Sequence, residues 1–174
     1  MAGIIVGVYG YQRSGKSLIA YMISDSYRKK GYKVYTNVKT EYFNKINRLS
    51  EIPINNKPKV LWLDEAQYYL DSRLWKDNTK SSIFFNSIGK QNILLVITTI
   101  DPGMVEKRIR EQQNYVIFAE DRKNHFGYRI IDCYRKNYKD ILLLKSDKMF
   151  EKLRYNTLEV PDYIYMDGLR SMIK

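Results

Sequence analysis

Residues 10–17, GYQRSGKS, have the residue types and spacing of a phosphate-binding loop, because they match G-x-x-x-x-G-K-[ST]. In this pattern, backbone N–H groups of the loop and of the next helix point at phosphate oxygens. The lysine reaches the β- and γ-phosphates, and the serine hydroxyl ligates Mg²⁺. The pattern therefore predicts a nucleotide-phosphate site formed by Gly10, Ser14, Gly15, Lys16, Ser17 and Leu18. The alternative is a turn that contains glycine and an exposed lysine.

Two carboxylates, Asp64 and Glu65, follow the apolar run KVLWL. Ligands of parallel sheets bind at the carboxyl ends of the strands. We expect Asp64 to hold Mg²⁺ through water and Glu65 to orient and polarise an attacking water. The alternative is that both carboxylates only cap a following helix, where acidic residues are favoured.

Thr98 and Thr99 end another apolar run, NILLVITT. If this strand lies between the first and third strands of the chain, its end faces the γ-phosphate. A hydroxyl there could sense the phosphate or position water. The alternative is that both threonines are ordinary strand residues next to a helix N-cap.

Short apolar runs alternate with helical patterns over about the first 110 residues, which predicts a parallel sheet flanked by helices. Closely spaced strands later in the chain predict antiparallel additions to that sheet. We expect the α/β fold to form a single domain over residues 1–174. The strands are expected at 3–9, 32–38, 59–64, 92–99, 115–121, 126–134 and 141–146, and the helices at 16–31, in two pieces within 65–91 that stop near Gly89, and within 101–113.

The net charge of +11 and the pI near 9.6 favour a polyanionic partner, although a lysine-rich surface also serves solubility. Basic residues interleave with aromatic ones in residues 120–129 and 133–140. Such segments can contact nucleic-acid phosphates and stack on bases. The local alternative is an edge hairpin kept soluble by its charges.

Cysteine and histidine usage excludes some classes of site. Cys133 is the only cysteine and His125 the only histidine, so no internal disulfide forms and a zinc site is nearly excluded. We expect Cys133 to be a small core or strand residue, and a reducing, cytoplasmic location. The longest apolar run is far shorter than the roughly 20 residues of a membrane span, so we expect no membrane insertion.

Four segments together resemble the FtsK–HerA superfamily of DNA-pumping ATPases, in particular Zot-like proteins and viral genome-packaging ATPases: GYQRSGKSLIAY, KGYKVYTNV, VLWLDEAQYYLDSR and ILLVITTIDPGMVEKRIRE. The resemblance implies a RecA-like P-loop NTPase fold of the ASCE type, with ATP and Mg²⁺ as cofactors. It implies a ring, expected to be a hexamer, that moves double-stranded DNA without sequence specificity. By motif, Lys16 and Ser17 bind phosphate and metal, Asp64 binds metal, and Glu65 is the catalytic base.

The chain departs from the superfamily pattern at two points. Ile100 stands where a glutamine is usual, so the phosphate-sensing role passes to Thr99. The turn before the NILLVITT strand contains Lys90 and no arginine. The arginine that acts on the nucleotide of a neighbouring subunit is therefore expected in another segment. Arg73, Arg108 and Arg110 are the candidates, and Arg73 is preferred for its place after DEAQ.

Three functions remain open from the sequence. The first is a DNA-translocating motor for viral genome packaging or DNA export, with a capsid or membrane protein as a further partner. The second is a thymidine-type kinase, whose acidic strand end resembles DEAQYYLD but whose usual zinc cysteines are missing here. The third is a non-hydrolysing switch, which would have no need of Glu65.

Overall fold

The computed structural model describes residues 3–68, 70, 86–154, 156 and 160–164. Within these residues, eight strands form a single sheet. The strands are β1 (Ile4–Tyr9), β2 (Lys33–Thr36), β3 (Asn44–Lys45), β4 (Lys59–Leu63), β5 (Ile93–Thr99), β6 (Tyr115–Arg122), β7 (His125–Asp132) and β8 (Asn137–Leu144). The helices are α1 (Lys16–Arg28), α2 (Lys107–Glu111) and α3 (Asp147–Glu151).

The strand order is β3-β2-β4-β5-β1-β6-β7-β8. The first six strands in this spatial order pair in parallel, whereas β7 and β8 add to the sheet in antiparallel fashion. β5 pairs with both β1 and β4, so it lies between the first and third predicted strands. The predicted α/β fold, with a mainly parallel sheet and antiparallel strands toward the C-terminus, is therefore confirmed.

Central strands of the sheet are largely apolar because both of their faces are covered, and their polar residues Lys59, Thr98 and Thr99 lie at the strand ends. Every residue of β4 and β5 is buried. On one face, α1 packs through Leu18, Ala20 and Tyr21 onto a layer that includes Trp62. On the other face, Leu49, Ile52, Val105, Ile109 and Ile164 cover the sheet.

The antiparallel extension differs from the prediction at its ends. β8 begins at residue 137, four residues before the predicted start. Cys133 is wrongly predicted as a core or strand residue. It is exposed in the turn between β7 and β8, because the apolar run stops at Asp132 and the chain reverses there.

The predicted helical segments differ from the structure in their bounds. Helix α1 ends at Arg28, and Gly31 follows with a φ of +89°. The predicted helix within 101–113 divides into a 3-10 turn, Pro102–Met104, and α2. Most of the predicted helical pieces within 65–91 lie outside the described residues. No helix of the described part of the chain is long and apolar enough to span a bilayer.

Replacing Trp62 by alanine should be strongly destabilising. Trp62 is fully buried and packs edge-on against Tyr21 and Phe43, with ring centroids 6.4 and 6.3 Å away. We expect Trp62→Ala to lower the free energy of unfolding by about 3–5 kcal/mol, measured by urea denaturation. The control is Tyr134→Ala, because Tyr134 is 91% exposed, and its effect should stay within about 0.5 kcal/mol. Similar losses in both variants would contradict this packing.

Candidate nucleotide-binding site

The phosphate loop, residues 10–17, connects β1 to α1 with a backbone that needs glycine. Gly10 has a φ of +154° and Gly15 a φ of +88°. A Cβ at Gly10 would collide with the carbonyl oxygen of Ala119. A Cβ at Gly15 would lie 2.6 Å from the Tyr128 hydroxyl oxygen. Both positions therefore exclude side chains for conformational and steric reasons.

Neighbouring strands anchor the phosphate loop. The Gly10 N–H donates to the Ile100 carbonyl at 3.2 Å. The Tyr128 hydroxyl, on β7, donates to the Gly15 carbonyl at 3.1 Å. Burial raises the pKa of Tyr128, which keeps this hydroxyl protonated as a donor. The antiparallel extension thus supports the loop directly, a role that the sequence did not indicate.

Lys16 is buried at the base of the loop, with 5% of its surface exposed. Its Nζ donates to the Tyr11 carbonyl at 2.8 Å. Burial holds the pKa of the Lys16 ammonium below its ordinary value, against the opposing effect of the Glu65 and Asp64 carboxylates. An ammonium with little access to solvent is a strong partner for phosphate oxygens.

Ser17, Asp64 and Thr98 meet where α1 begins and where β4 and β5 end. The Ser17 Oγ donates to Asp64 Oδ1 at 2.9 Å, and the Thr98 Oγ1 donates to the same oxygen at 2.6 Å. Burial raises the pKa of Asp64, and the hydrogen bonds from Thr98 and Ser17 oppose that rise. Three elements distant in sequence therefore place polar oxygens at one point.

The oxygens of Ser17 and Asp64 fit Mg²⁺. This ion prefers hard oxygen ligands, and it usually takes one or two from the protein while phosphates and water supply the others. The described residues contain no group of three or more His, Cys, Asp or Glu side chains that could hold a metal. A two-residue donor set next to a phosphate loop agrees with Mg²⁺ that arrives with its nucleotide.

Asn37 is a positioning residue that sequence reasoning missed. It is fully buried just after β2. Its Nδ2 donates to the Asp64 carbonyl at 2.9 Å, and the Asp64 N–H donates to its Oδ1 at 2.8 Å. The Asp162 N–H donates to the Asn37 carbonyl at 3.2 Å. A polar residue at a strand end was the only signal, and its meaning depends on β2 lying beside β4.

Glu65 stands at the rim of the site in a rare backbone conformation. Its φ is +51°, a region that costs a non-glycine residue about 1–3 kcal/mol and persists only when the surroundings enforce it. The Glu65 N–H donates to the Thr98 Oγ1 at 3.1 Å, and Gln67 Nε2 is hydrogen-bonded to Glu65 Oε2. These contacts direct the carboxylate toward the pocket.

Thr99 lies apart from this cluster, because successive side chains of a strand point to opposite faces. Its hydroxyl is buried and has no hydrogen-bond partner among the described residues. Its sensing role stays a prediction, and Thr98 is the threonine that contacts Asp64. Arg73 lies outside the described residues, so its catalytic role also stays a prediction.

A pocket of about 630 Å³ extends from the phosphate loop. Lys16, Ser17, Asp64 and Glu65 line its polar end. Its remaining wall is largely apolar and includes Leu18, Val38, Phe126, Phe150, Leu153, Val160 and Pro161. This combination suits a nucleotide, whose triphosphate needs charge and whose base needs an apolar surface. Two cavities of about 700 and 720 Å³ lie elsewhere, and none of the four polar residues lines either.

A matched pair of variants separates the two threonines. Thr98→Val removes the hydroxyl that contacts Asp64 and Glu65, whereas Thr99→Val removes a hydroxyl without a described partner. A hydrogen bond to a charged group is worth about 1.5–3 kcal/mol, so for the nucleotide hydrolysis proposed below we expect Thr98→Val to lower the rate about 10- to 100-fold. We expect Thr99→Val to retain the parent rate in a phosphate-release assay. The reverse result would give Thr99 the sensing role.

Comparisons by sequence find no matching family model and no similar curated protein. Solved structures, however, are similar in fold. The N-terminal domain of zonular occludens toxin from Neisseria meningitidis superposes with a TM-score of 0.63 at 15% identity, over 90% of this chain and 100% of that one.

Two further solved structures show the same likeness. The genome packaging NTPase B204 from Sulfolobus turreted icosahedral virus 2, in complex with sulfate, gives a TM-score of 0.60 at 15% identity, over 83% of this chain and 98% of that one. The flagellar accessory protein FlaH from Methanocaldococcus jannaschii gives 0.53 at 13% identity, over 81% and 84%. The chain therefore has the RecA-like P-loop NTPase fold that its sequence resemblance implies.

Proposed function

We propose that this protein is a Mg²⁺-dependent ATPase that couples ATP hydrolysis to the movement of double-stranded DNA. The observation that supports hydrolysis best is the cluster in which Ser17 and Thr98 donate to Asp64, beside Lys16 and Glu65. It unites a phosphate-binding ammonium, an oxygen pair for a metal and a second carboxylate. A nucleotide-binding switch would not need the second carboxylate.

Each side chain has a separate task in the proposed reaction. The loop N–H groups and Lys16 bind the β- and γ-phosphates. Ser17 and Asp64 would hold Mg²⁺, which would neutralise charge on the phosphates. Glu65 accepts a proton from water as the water oxygen bonds to the γ-phosphorus. The bond between that phosphorus and the β–γ bridging oxygen breaks, which yields ADP and inorganic phosphate.

Several observations support ATP and DNA as ligands. Structures similar to this chain include B204 with ATP-γS, AMPPCP and AMP, and B204 is described as a DNA-packaging ATPase. The +11 net charge of this chain suits a polyanion. From these likenesses we infer viral genome packaging or DNA export as the task, in the host cytoplasm or on the virion.

A ring of subunits, with a hexamer as the expected form, belongs to the same proposal. Such rings place an arginine of one subunit beside the phosphates of the next, and Arg73 is our preferred candidate. Arg108 and Arg110 both lie on α2, where Arg110 Nη1 donates to the Pro102 carbonyl at 3.3 Å.

Mixing Arg73→Ala with Lys16→Ala subunits should restore part of the ATP hydrolysis if Arg73 acts across subunits.

Two substitutions test the hydrolytic site. Lys16→Ala should abolish nucleotide binding or turnover because the buried ammonium is lost. Glu65→Gln should still bind ATP but hydrolyse it about 10²–10⁴-fold more slowly, because a positioned general base is lost. Binding is measured with a fluorescent ATP analogue and turnover by phosphate release. Normal turnover by Lys16→Ala would refute the phosphate-loop assignment, and an unchanged rate in Glu65→Gln would place the base elsewhere.

The coupling to DNA is tested by measuring ATP hydrolysis with and without long double-stranded DNA at two salt concentrations. We expect stimulation that weakens as salt rises, because phosphate contacts release counterions. Thymidine serves as a parallel acceptor. ATP consumption that depends on thymidine and ignores DNA would identify a kinase and refute the motor.

A further inference from the structure

The two edges of the parallel sheet differ sharply in charge. We call the edge that carries the phosphate loop the carboxyl edge, because β1, β2, β4, β5 and β6 end there. We call the opposite edge the amino edge, because these strands begin there. Helix α1 ends at the amino edge, and the β7–β8 turn also lies there, since β7 is antiparallel to β6.

The connections at the carboxyl edge are balanced in charge. They comprise residues 10–15, 37–43, 64–68, 100–106, 123–124 and 145–146. Their Lys and Arg residues number four: Arg13, Lys39, Lys123 and Lys145. Their Asp and Glu residues number five: Glu41, Asp64, Glu65, Asp101 and Glu106. The net charge of these connections is therefore −1, because four minus five leaves one excess carboxylate.

The described segments directly before β2, β4, β5 and β6, together with the β7–β8 turn, contain no carboxylate side chain. They comprise residues 29–32, 55–58, 89–92, 112–114 and 133–136. These segments contain six Lys and Arg residues, all exposed, and no Asp or Glu: Lys29, Lys30, Lys57, Lys90, Arg135 and Lys136. Lys29 pairs with Asp25 at 2.7 Å, and the other five form no ion pair among the described residues. Six exposed cations of the described residues thus lie opposite the nucleotide pocket.

The cations form a row rather than a compact pocket. They belong to connections that adjoin β2, β4, β5 and β8, and these strands span six inter-strand spacings of the sheet. With strands about 4.8 Å apart, the row is about 29 Å long. A duplex carries one charge per roughly 1.7 Å of axis, so a polymer of phosphates matches the row better than a small anion does.

The β7–β8 turn is held in place by several hydrogen bonds. Asp132 Oδ1 accepts hydrogen bonds from the Tyr134 and Arg135 N–H groups at 3.1 and 2.9 Å. The Cys133 N–H donates to the Asn114 carbonyl at 2.9 Å. Asp132, the carboxylate at the start of the turn, is therefore engaged by backbone donors. The turn presents Tyr134, which is 91% exposed, between β7 and the cations Arg135 and Lys136.

We propose that the amino edge is the surface that binds the phosphate backbone of double-stranded DNA, with the β7–β8 turn as its principal contact. The proposal rests on the DNA partner of the proposed function and adds the location. Helix α1 has 13 residues and connects the two edges, so Lys29 and Lys30 at its end lie about 20 Å from the phosphate loop. Backbone contacts by Lys and Arg carry no base specificity, as a translocating protein requires.

The test compares two double variants with equal loss of charge. Arg135→Ser with Lys136→Ser alters the amino edge, and Lys39→Ser with Lys123→Ser alters exposed cations of the carboxyl edge. The probe is a duplex of about 30 base pairs, which is about 100 Å long. Its dissociation constant is measured by fluorescence anisotropy at several salt concentrations. Circular dichroism melting checks that both variants fold, and basal ATP hydrolysis should be unchanged in the amino-edge variant.

We expect the amino-edge variant to bind duplex at least about 10-fold more weakly and its salt slope to fall by about 2, one unit for each lost phosphate contact. The carboxyl-edge variant should resemble the parent. Equal weakening in both variants, or in neither, would overturn the location while leaving a DNA partner intact. Failure of the parent protein to bind duplex would overturn the proposed DNA partner itself. The same variants are also measured with phosphatidylserine vesicles. Loss of vesicle binding in the amino-edge variant, with duplex binding unchanged, would assign the edge to a membrane instead.

Discussion

The hydrogen bonds that converge on Asp64 are the interaction on which the rest of the site depends. Burying a carboxylate is costly unless donors surround it, and here Ser17 and Thr98 supply them from α1 and β5. These bonds require the ends of β4 and β5 and the start of α1 to lie side by side. The strand order, with β5 between β1 and β4, therefore determines the geometry of the site. Asn37, just after β2, adds a fourth element, since its amide binds both the N–H and the carbonyl of Asp64. A bound metal and triphosphate would then meet a rigid set of oxygens.

The antiparallel extension contributes more than an edge to the sheet. Tyr128 and Phe126 of β7 lie against Gly15, so the predicted phosphate loop is supported from the side opposite β5. The apolar faces of these two rings also belong to the core that α1 covers. A change in the loop backbone would therefore have to be accommodated by β7, whose far end leads into the amino edge. The phosphate loop, the antiparallel extension and the amino edge are therefore connected through β7, which has eight residues.

The fold and the polar end of the pocket could be predicted from sequence because their signals are local. The glycine and lysine spacing of the phosphate loop, the largely apolar β4 and β5, and the carboxylates at a strand end each carry their meaning within a few residues. Asn37 and Tyr128 could not be found in this way, because each acts on a residue brought near only by strand pairing. Thr98 and Thr99 were both recognised, but only the register and face of β5 show which hydroxyl reaches Asp64. Cys133 was misplaced because an apolar run does not reveal where its strand turns.

The position of Cys133 makes the protein easy to label at one chosen place. It is the only cysteine of the chain, and it is exposed in the β7–β8 turn beside Tyr134. A maleimide fluorophore would therefore attach at a single site without any prior cysteine substitution. Partial burial and the Asp132 carboxylate raise the pKa of the thiol, so the reaction proceeds faster in mildly alkaline buffer. Such a dye would lie at the end of the molecule remote from the nucleotide, and its emission would respond to whatever binds at that end.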